Sequence, residues 1–96
     1  NADLISCKDN GISIGEKSTF RINNVFIENT YSGITVKDLS QLYLKKAKIN
    51  SSKFCISAYQ KKQEFGGAFA DIKSLDCNSN NFKDYNSVVN INQYEL

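Results

Sequence analysis

Apolar residues two positions apart recur along this chain in short runs: Ile12/Ile14, Phe20/Ile22 and Val25/Ile27. Period two is the mark of an extended strand with one face buried. The runs also repeat as a set. A shift of 22 residues pairs Gly11 with Gly33, Ile12 with Ile34, Ile14 with Val36, Phe20 with Leu42, Ile22 with Leu44, Val25 with Ala47 and Ile27 with Ile49. A third copy opens at Ile56 and Ala58, and after QKKQEFGG (60–67) it resumes at Ala70, Ile72, Leu75 and Cys77, six residues late. A fourth begins at Val89 and Ile91 after a second lengthened turn, NSNNFKDYNS (78–87), while Ile5 and Cys7 mark the end of an earlier partial copy.

Three short strands per 22 residues, divided by Gly, Asn, Ser and Lys, leave no room for a helix. Two-residue gaps such as Asn23-Asn24, Lys45-Lys46 and Lys73-Ser74 suit sharp corners. Such a chain coils, each rung stacking on the last by about 4.8 Å through main-chain hydrogen bonds. The expectation is one all-β domain over residues 1–96, a right-handed parallel β-helix with three full coils and a partial rung at each end. A leucine-rich repeat fits LSQLYLKKA (39–47) in outline, but Val25, Ala47 and Leu75 stand where its Asn would be. A sandwich would not give a 22-residue register.

The repeat resembles the pectate-lyase-like parallel β-helix over nearly the whole chain. The stretches ISIGEKS, VKDLS and AYQKKQEFGGA are similar to β-helix segments of large bacterial surface or secreted proteins, some with a spore-coat-kinase-like domain. The resemblance implies a solenoid whose side faces meet carbohydrate, and in its enzymes acids or calcium ligands from neighbouring rungs.

Charge changes the picture little: 12 basic against 10 acidic residues give a net +2, too weak a field to imply nucleic acid or an anionic membrane. Every basic residue but Arg21 is lysine. His is absent, so imidazole metal sites and Ser-His or Cys-His pairs are excluded within the chain. No apolar run approaches a membrane span and no signal-peptide pattern occurs. Met is absent too, so the chain is expected to be a processed or excised piece of a longer solenoid. Cys7, Cys55 and Cys77 are widely spaced, form no CxxC and are odd in number, which reads as small apolar residues in a packed interior.

With the inward residues fixed, their neighbours point outward. Ser13, Thr35 and Ser57 would form a solvated hydroxyl ladder, Arg21, Tyr43 and Asp71 a second stack, and Phe26, Lys48 and Asp76 a third. The second is either a sugar-gripping set or a cross-rung pairing. Glu16 and Asp38 fall on equivalent turns, where two carboxylates would serve calcium or acid/base chemistry in a polysaccharide lyase or hydrolase. Lys17 and Lys37 lie close enough to screen them. The insertion, with Tyr59, Lys61, Lys62, Glu64 and Phe65, is the candidate binding loop, and Phe82 and Tyr85 of the next long turn would extend its patch. No cofactor is implied. The two ends would bare Ile5/Cys7 and Val89/Ile91 and unpaired strand edges, so end-to-end association or continuation in a longer β-helix is expected. The reading is a non-enzymatic scaffold or binding module of a bacterial surface or secreted protein, extracellular, with a carbohydrate-active enzyme as the alternative.

Overall fold

In the computed structural model, residues 2–60, 66–77, 79–92 and 94–95 are described, with side chains at all of these but 2, 29, 51 and 52. All regular structure among them is strand: β1 (Ala2–Lys8), β2 (Ile12–Ile14), β3 (Thr19–Lys37), β4 (Gln41–Tyr59), β5 (Phe69–Cys77), β6 (Asn80–Lys83), β7 (Val88–Ile91) and β8 (Tyr94–Glu95). The chain winds as a parallel β-solenoid of about four turns. β1 and β2 together form the lowest rung under β3. β4 lies on β3, β5 and β6 lie on β4, and β7 lies on β5.

The register is the one the repeat predicts. Ile34 sits opposite Ile56, Leu42 opposite Ala70, Leu44 opposite Ile72, and Ile49 opposite Cys77. β3 and β4 run through two corners each without losing strand pairing. A skipped pair at Asn23, with the register unchanged, and register shifts between Glu28 and Ser32 mark where three straight segments meet. The inward columns, such as Ile12/Ile34/Ile56 and Ile22/Leu44/Ile72/Ile91, make one apolar core. Each large aliphatic side chain fully enclosed there contributes about 1.5–3 kcal/mol.

The repeated Gly and Ser have separate physical causes. A Cβ on Gly11 would lie 2.2 Å from the Ser32 carbonyl oxygen, and one on Gly33 would lie 2.6 Å from Ile49 Cγ2. These glycines serve close approach between rungs. The closing Ser of each turn is a cap: the Ser40 hydroxyl accepts from Ser18 N–H at 3.3 Å, and the Ser87 hydroxyl accepts from Ala68 N–H at 3.0 Å. The turns between them carry paired left-handed residues, Glu16/Lys17 and Asp38/Leu39, with φ from 56 to 64°. Two positive-φ residues in succession give a turn whose hand matches the strand twist, at a steric cost for any residue with a Cβ.

Two expectations change. The C-terminal end is not bare. Asn92 turns the chain with φ 53°, and β8 folds back antiparallel on β7, pairing Ile91 with Tyr94. Val89 and Ile91 are buried. The N-terminal rung keeps the expected open character, with Ile5, Cys7 and Ile12 only partly covered, and Phe20 near the start of β3 above it is 43% exposed. The cysteines differ as well. Cys55 and Cys77 form a disulfide across a sequence separation of 22, with Cα atoms 6.4 Å apart, and Cys7 is the free thiol. Column position assigned Cys77 to the core but said nothing of Cys55 reaching it round a corner.

Two stability predictions arise here. Closing a loop of this length removes unfolded-chain entropy, so reduction of the Cys55–Cys77 bridge is expected to cost about 3 kcal/mol, read from urea midpoints with and without reductant. Lys17→Gly removes a Cβ from a left-handed position and is expected to raise stability by roughly 1 kcal/mol on the same assay. A loss instead would mean that the side chain contributes more than its backbone strain costs.

Candidate functional site

The sharp corners at residues 23–24, 45–46 and 73–74 stack along one edge of the solenoid and leave a groove on either side. The first groove, about 490 Å³, is lined by Asp3, Arg21, Asn23, Tyr43, Lys45, Asp71 and Lys73 among others. Arg21, Tyr43 and Asp71 are direct register partners on β3, β4 and β5, so the stack expected from alternation is present. The Arg21 guanidinium carbon lies 4.3 Å from the centre of the Tyr43 ring. Phe69 meets the same ring at 5.7 Å between centroids, and the Tyr43 hydroxyl donates to Gln41 Oε1 at 3.0 Å. Tyr43 is therefore engaged by its neighbours, as a cross-rung pairing would have it. The two acids are engaged as well. Asp71 Oδ2 is 3.5 Å from Lys73 Nζ, and Asp3 Oδ1 accepts from Asn23 Nδ2 at 2.9 Å.

The second groove, about 460 Å³, is lined by Leu4, Phe26, Lys46, Lys48, Ser74 and Asp76 with backbone between them. It contains the third expected stack, Phe26/Lys48/Asp76, with Leu4 added from β1 and largely exposed. Nothing in the repeat pointed to Leu4, because β1 pairs with β3 at a shift of 20, two residues short of the 22-residue register.

Of the insertion, Lys61, Lys62, Glu64 and Phe65 lie outside the described residues. Its stem is visible and is clamped by the turn above it. Gln60 N–H donates to Asp84 Oδ2 at 2.7 Å, Asn86 Nδ2 donates to Gln60 Oε1 at 2.8 Å, and Ala68 N–H donates to Ser87 Oγ. Phe82 does join Tyr59, with ring centroids 6.4 Å apart, whereas Tyr85 is 91% exposed. The aromatic strip then extends to residues the sequence reading passed over: Phe82 to Phe54 at 6.2 Å and Phe54 to Tyr31 at 5.9 Å, with Lys53 Nζ over both of the latter rings. The signal was available, since Tyr31 and Lys53 are 22 residues apart, but it sits at the irregular corner where the pairing slips.

Glu16 and Asp38 occupy equivalent turns, joined by the Lys17 N–H to Asp38 carbonyl bond at 2.9 Å. Their side chains are placed differently: Asp38 is 1% exposed, and Glu16 is exposed. Among the described residues no group of three or more Cys, Asp or Glu is placed to hold a metal ion. The expected hydroxyl ladder is partly enclosed. Ser57, opposite Phe82, is buried, and Ser32 Oγ is 3.2 Å from both Ser57 Oγ and Thr35 Oγ1. A solvated strand was expected because β6, lying outside the 22-residue register, was not foreseen as its cover.

Asp84 is the best-defined ionisable group of the stem. Partial burial by itself raises its pKa. The Gln60 N–H, the Ser87 hydroxyl and the Asn86 and Ser87 N–H groups outweigh that and hold the carboxyl below its ordinary 3.8. Its second oxygen, Oδ1, is buried and lacks a well-aligned donor. A depressed folded-state pKa means that the group stabilises the fold above 3.8 and loses that contribution as pH falls through the lower, folded value. Asp84→Ala is thus expected to cost about 1 kcal/mol at neutral pH, the usual worth of a hydrogen bond at a half-buried group. The gap between the two proteins' melting temperatures should close as the pH is lowered well below 3.8. A gap that stays constant from neutral to acid pH would remove the carboxylate from this role.

No protein-family model matches the chain, no curated protein is similar to it at a significant level, and no solved structure matches its fold at that level.

Proposed function

We propose that this chain is a non-enzymatic β-solenoid module of a bacterial surface or secreted protein, a rigid platform that assembles through its N-terminal rung and presents its side faces to carbohydrate. The observation that carries the reading is the unequal treatment of the two ends. β8 runs antiparallel on β7 and terminates the parallel stack. β1 and β2 are paired on one side only, to β3, and the apolar residues of that rung are partly open. An unpaired parallel edge seven residues long, over a half-covered core, is a template for one more rung. That rung comes from a longer chain or from a second copy. At the other end β8 covers Asn90 and Ile91 of β7.

The core disulfide supports an oxidising, extracytoplasmic setting, where such bonds persist. Among the described residues no helix is long and apolar enough to cross a membrane. The pectate-lyase-like context rests on the repeat and the solenoid alone.

Light scattering on a sizing column, with circular dichroism on the same peak, tests the assembly. The 96-residue chain is expected to associate, and Phe20→Lys to weaken that association by tenfold or more with an unchanged spectrum. Phe20 lies near the start of β3, before the pairing with β1 begins at Ile22, and is exposed there, so the substitution disturbs the open end more than the interior. A wild-type chain that stays monomeric at high concentration would overturn this reading.

A further inference from the structure

The free edge of β1 has a definite pattern of donors and acceptors. Lys8 is the register partner of Glu28, and the Asp9 N–H donates to the Glu28 carbonyl at 2.9 Å. In a parallel ladder, alternate residues turn both main-chain groups to the same neighbour. Ile5 and Cys7 therefore share the direction of Asp9 and bond to β3, while Leu4, Ser6 and Lys8 turn their groups away from it. β1 stands at the end of the strand order, so no described strand meets those groups. Side chains alternate over the same segment. Ile5 and Cys7 pack against the core, and Leu4, Ser6 and Lys8 are exposed.

We propose that this edge pairs with the same edge of a second copy, the two β1 strands running antiparallel about a two-fold axis at Ser6. The inference rests on the assembly reading above and names its partner and its register. A two-fold relates copies that meet by the same edge, and keeping both cores on one side makes the strands antiparallel. The chain ends its other stack in a like manner, with β8 antiparallel on β7. Core continuity also requires inward residues to face inward residues, so the axis passes through a residue. With the axis at Ser6, Ile5 faces Cys7 of the second copy, and these half-covered residues become enclosed. Ser6 exchanges both main-chain bonds with Ser6 of the second copy, as Leu4 does with Lys8. Lys8 is the only charge among residues 4–8. Its stem meets the 65% exposed Leu4 of the second copy, and the opposite charge of Asp3 is next to that leucine in the chain. Asp9 has by then turned out of the strand, at φ 67°. An axis at Ile5 would set Asp3 opposite Cys7, and one at Cys7 would set Asp9 opposite Ile5. Each of these places a carboxylate against an apolar residue of the core rung.

The test is cross-linking through Cys7, the free thiol. Directly opposed residues of this kind have Cα atoms about 4.5 Å apart, within disulfide reach, whereas diagonal neighbours at about 7–8 Å lie beyond it. The wild-type chain and an Ile5→Cys/Cys7→Ser variant are treated with diamide, separately and mixed, at a concentration where the chain associates. The expected product is a cross-linked dimer of one chain of each kind in the mixture, with about tenfold less cross-linking in either chain alone. Cross-linking of the wild-type chain alone would place the axis at Cys7, and of the variant alone at Ile5; either result overturns the register. No cross-link in an associating mixture would overturn this inference alone. A mixture that never associates would overturn the assembly reading with it. Ser6→Pro needs no thiol and decides independently. It loses only an N–H turned to the free edge, so the chain should keep its circular dichroism spectrum while association weakens by about tenfold or more. Ser6→Ala, which keeps the N–H, should associate as the wild-type chain does. Equal association of the two Ser6 variants, or an unfolded Ser6→Pro chain, would also overturn the pairing.

Discussion

The parallel main-chain ladder between successive rungs is the constraint on which everything else in this protein depends. Every straight segment of β3 is bonded to β4 at the same registers that the side-chain columns require. A slip of one residue would turn each inward Ile, Leu or Val outward, so ladder and core specify one another. The turns obey the same demand. Backbone bonds such as Gln41 N–H to Ser18 carbonyl and Phe69 N–H to Ser40 carbonyl carry the stack through the turns, and the closing serines fill places where main chain cannot reach main chain. Glycine at 11 and 33 is required because the rungs come close enough there to exclude a Cβ.

A stack of this kind is quasi-one-dimensional, with each rung stabilised mainly by its neighbours. Its weak points are the ends, and the molecule treats them differently. At the C-terminal end the chain reverses through Asn92 and lays an antiparallel strand against the last rung. Just below, the Cys55–Cys77 bridge ties the third rung to the fourth from within the core. No equivalent device reinforces β1 and β2 among the described residues. Local opening should therefore begin at the N-terminal rung, whose single neighbour is β3. The same edge that frays most readily is the one with most to gain from a partner.

How much was legible in the sequence follows from this geometry. Inward columns are governed by period two and by the 22-residue shift, so the fold, the register and the outward stack Arg21/Tyr43/Asp71 could all be read before any coordinates. The antiparallel β8 could not, because Gln93-Tyr94-Glu95 has no apolar alternation to announce it. The disulfide joins residues on different segments of successive rungs, a relation that column matching does not examine. The enclosed Ser57 and the Tyr31/Phe54/Phe82 strip depend on β6 and on the irregular corner before Ser32, where the repeat is broken or lengthened. Sequence reasoning thus succeeded where the ladder is regular and failed where the chain departs from it.

That division also bears on the candidate sites. On the regular faces, an outward side chain is displayed at a rung-spaced interval whatever its chemistry, so a stack by itself is only a consequence of the fold. What distinguishes the corner groove is the difference between its acids and its bases. Asp3 and Asp71 are satisfied within the protein, while Arg21 is oriented by Tyr43 without being consumed by a counter-charge. A cation-π contact fixes a guanidinium without using its hydrogen-bond donors, unlike a salt bridge, which fixes the group and spends them. A surface cation placed only for solubility has no need of such orientation. The rigid ladder beneath it holds Arg21 in register with Tyr43 and Asp71, so the contact is fixed by the backbone pairing of three successive rungs.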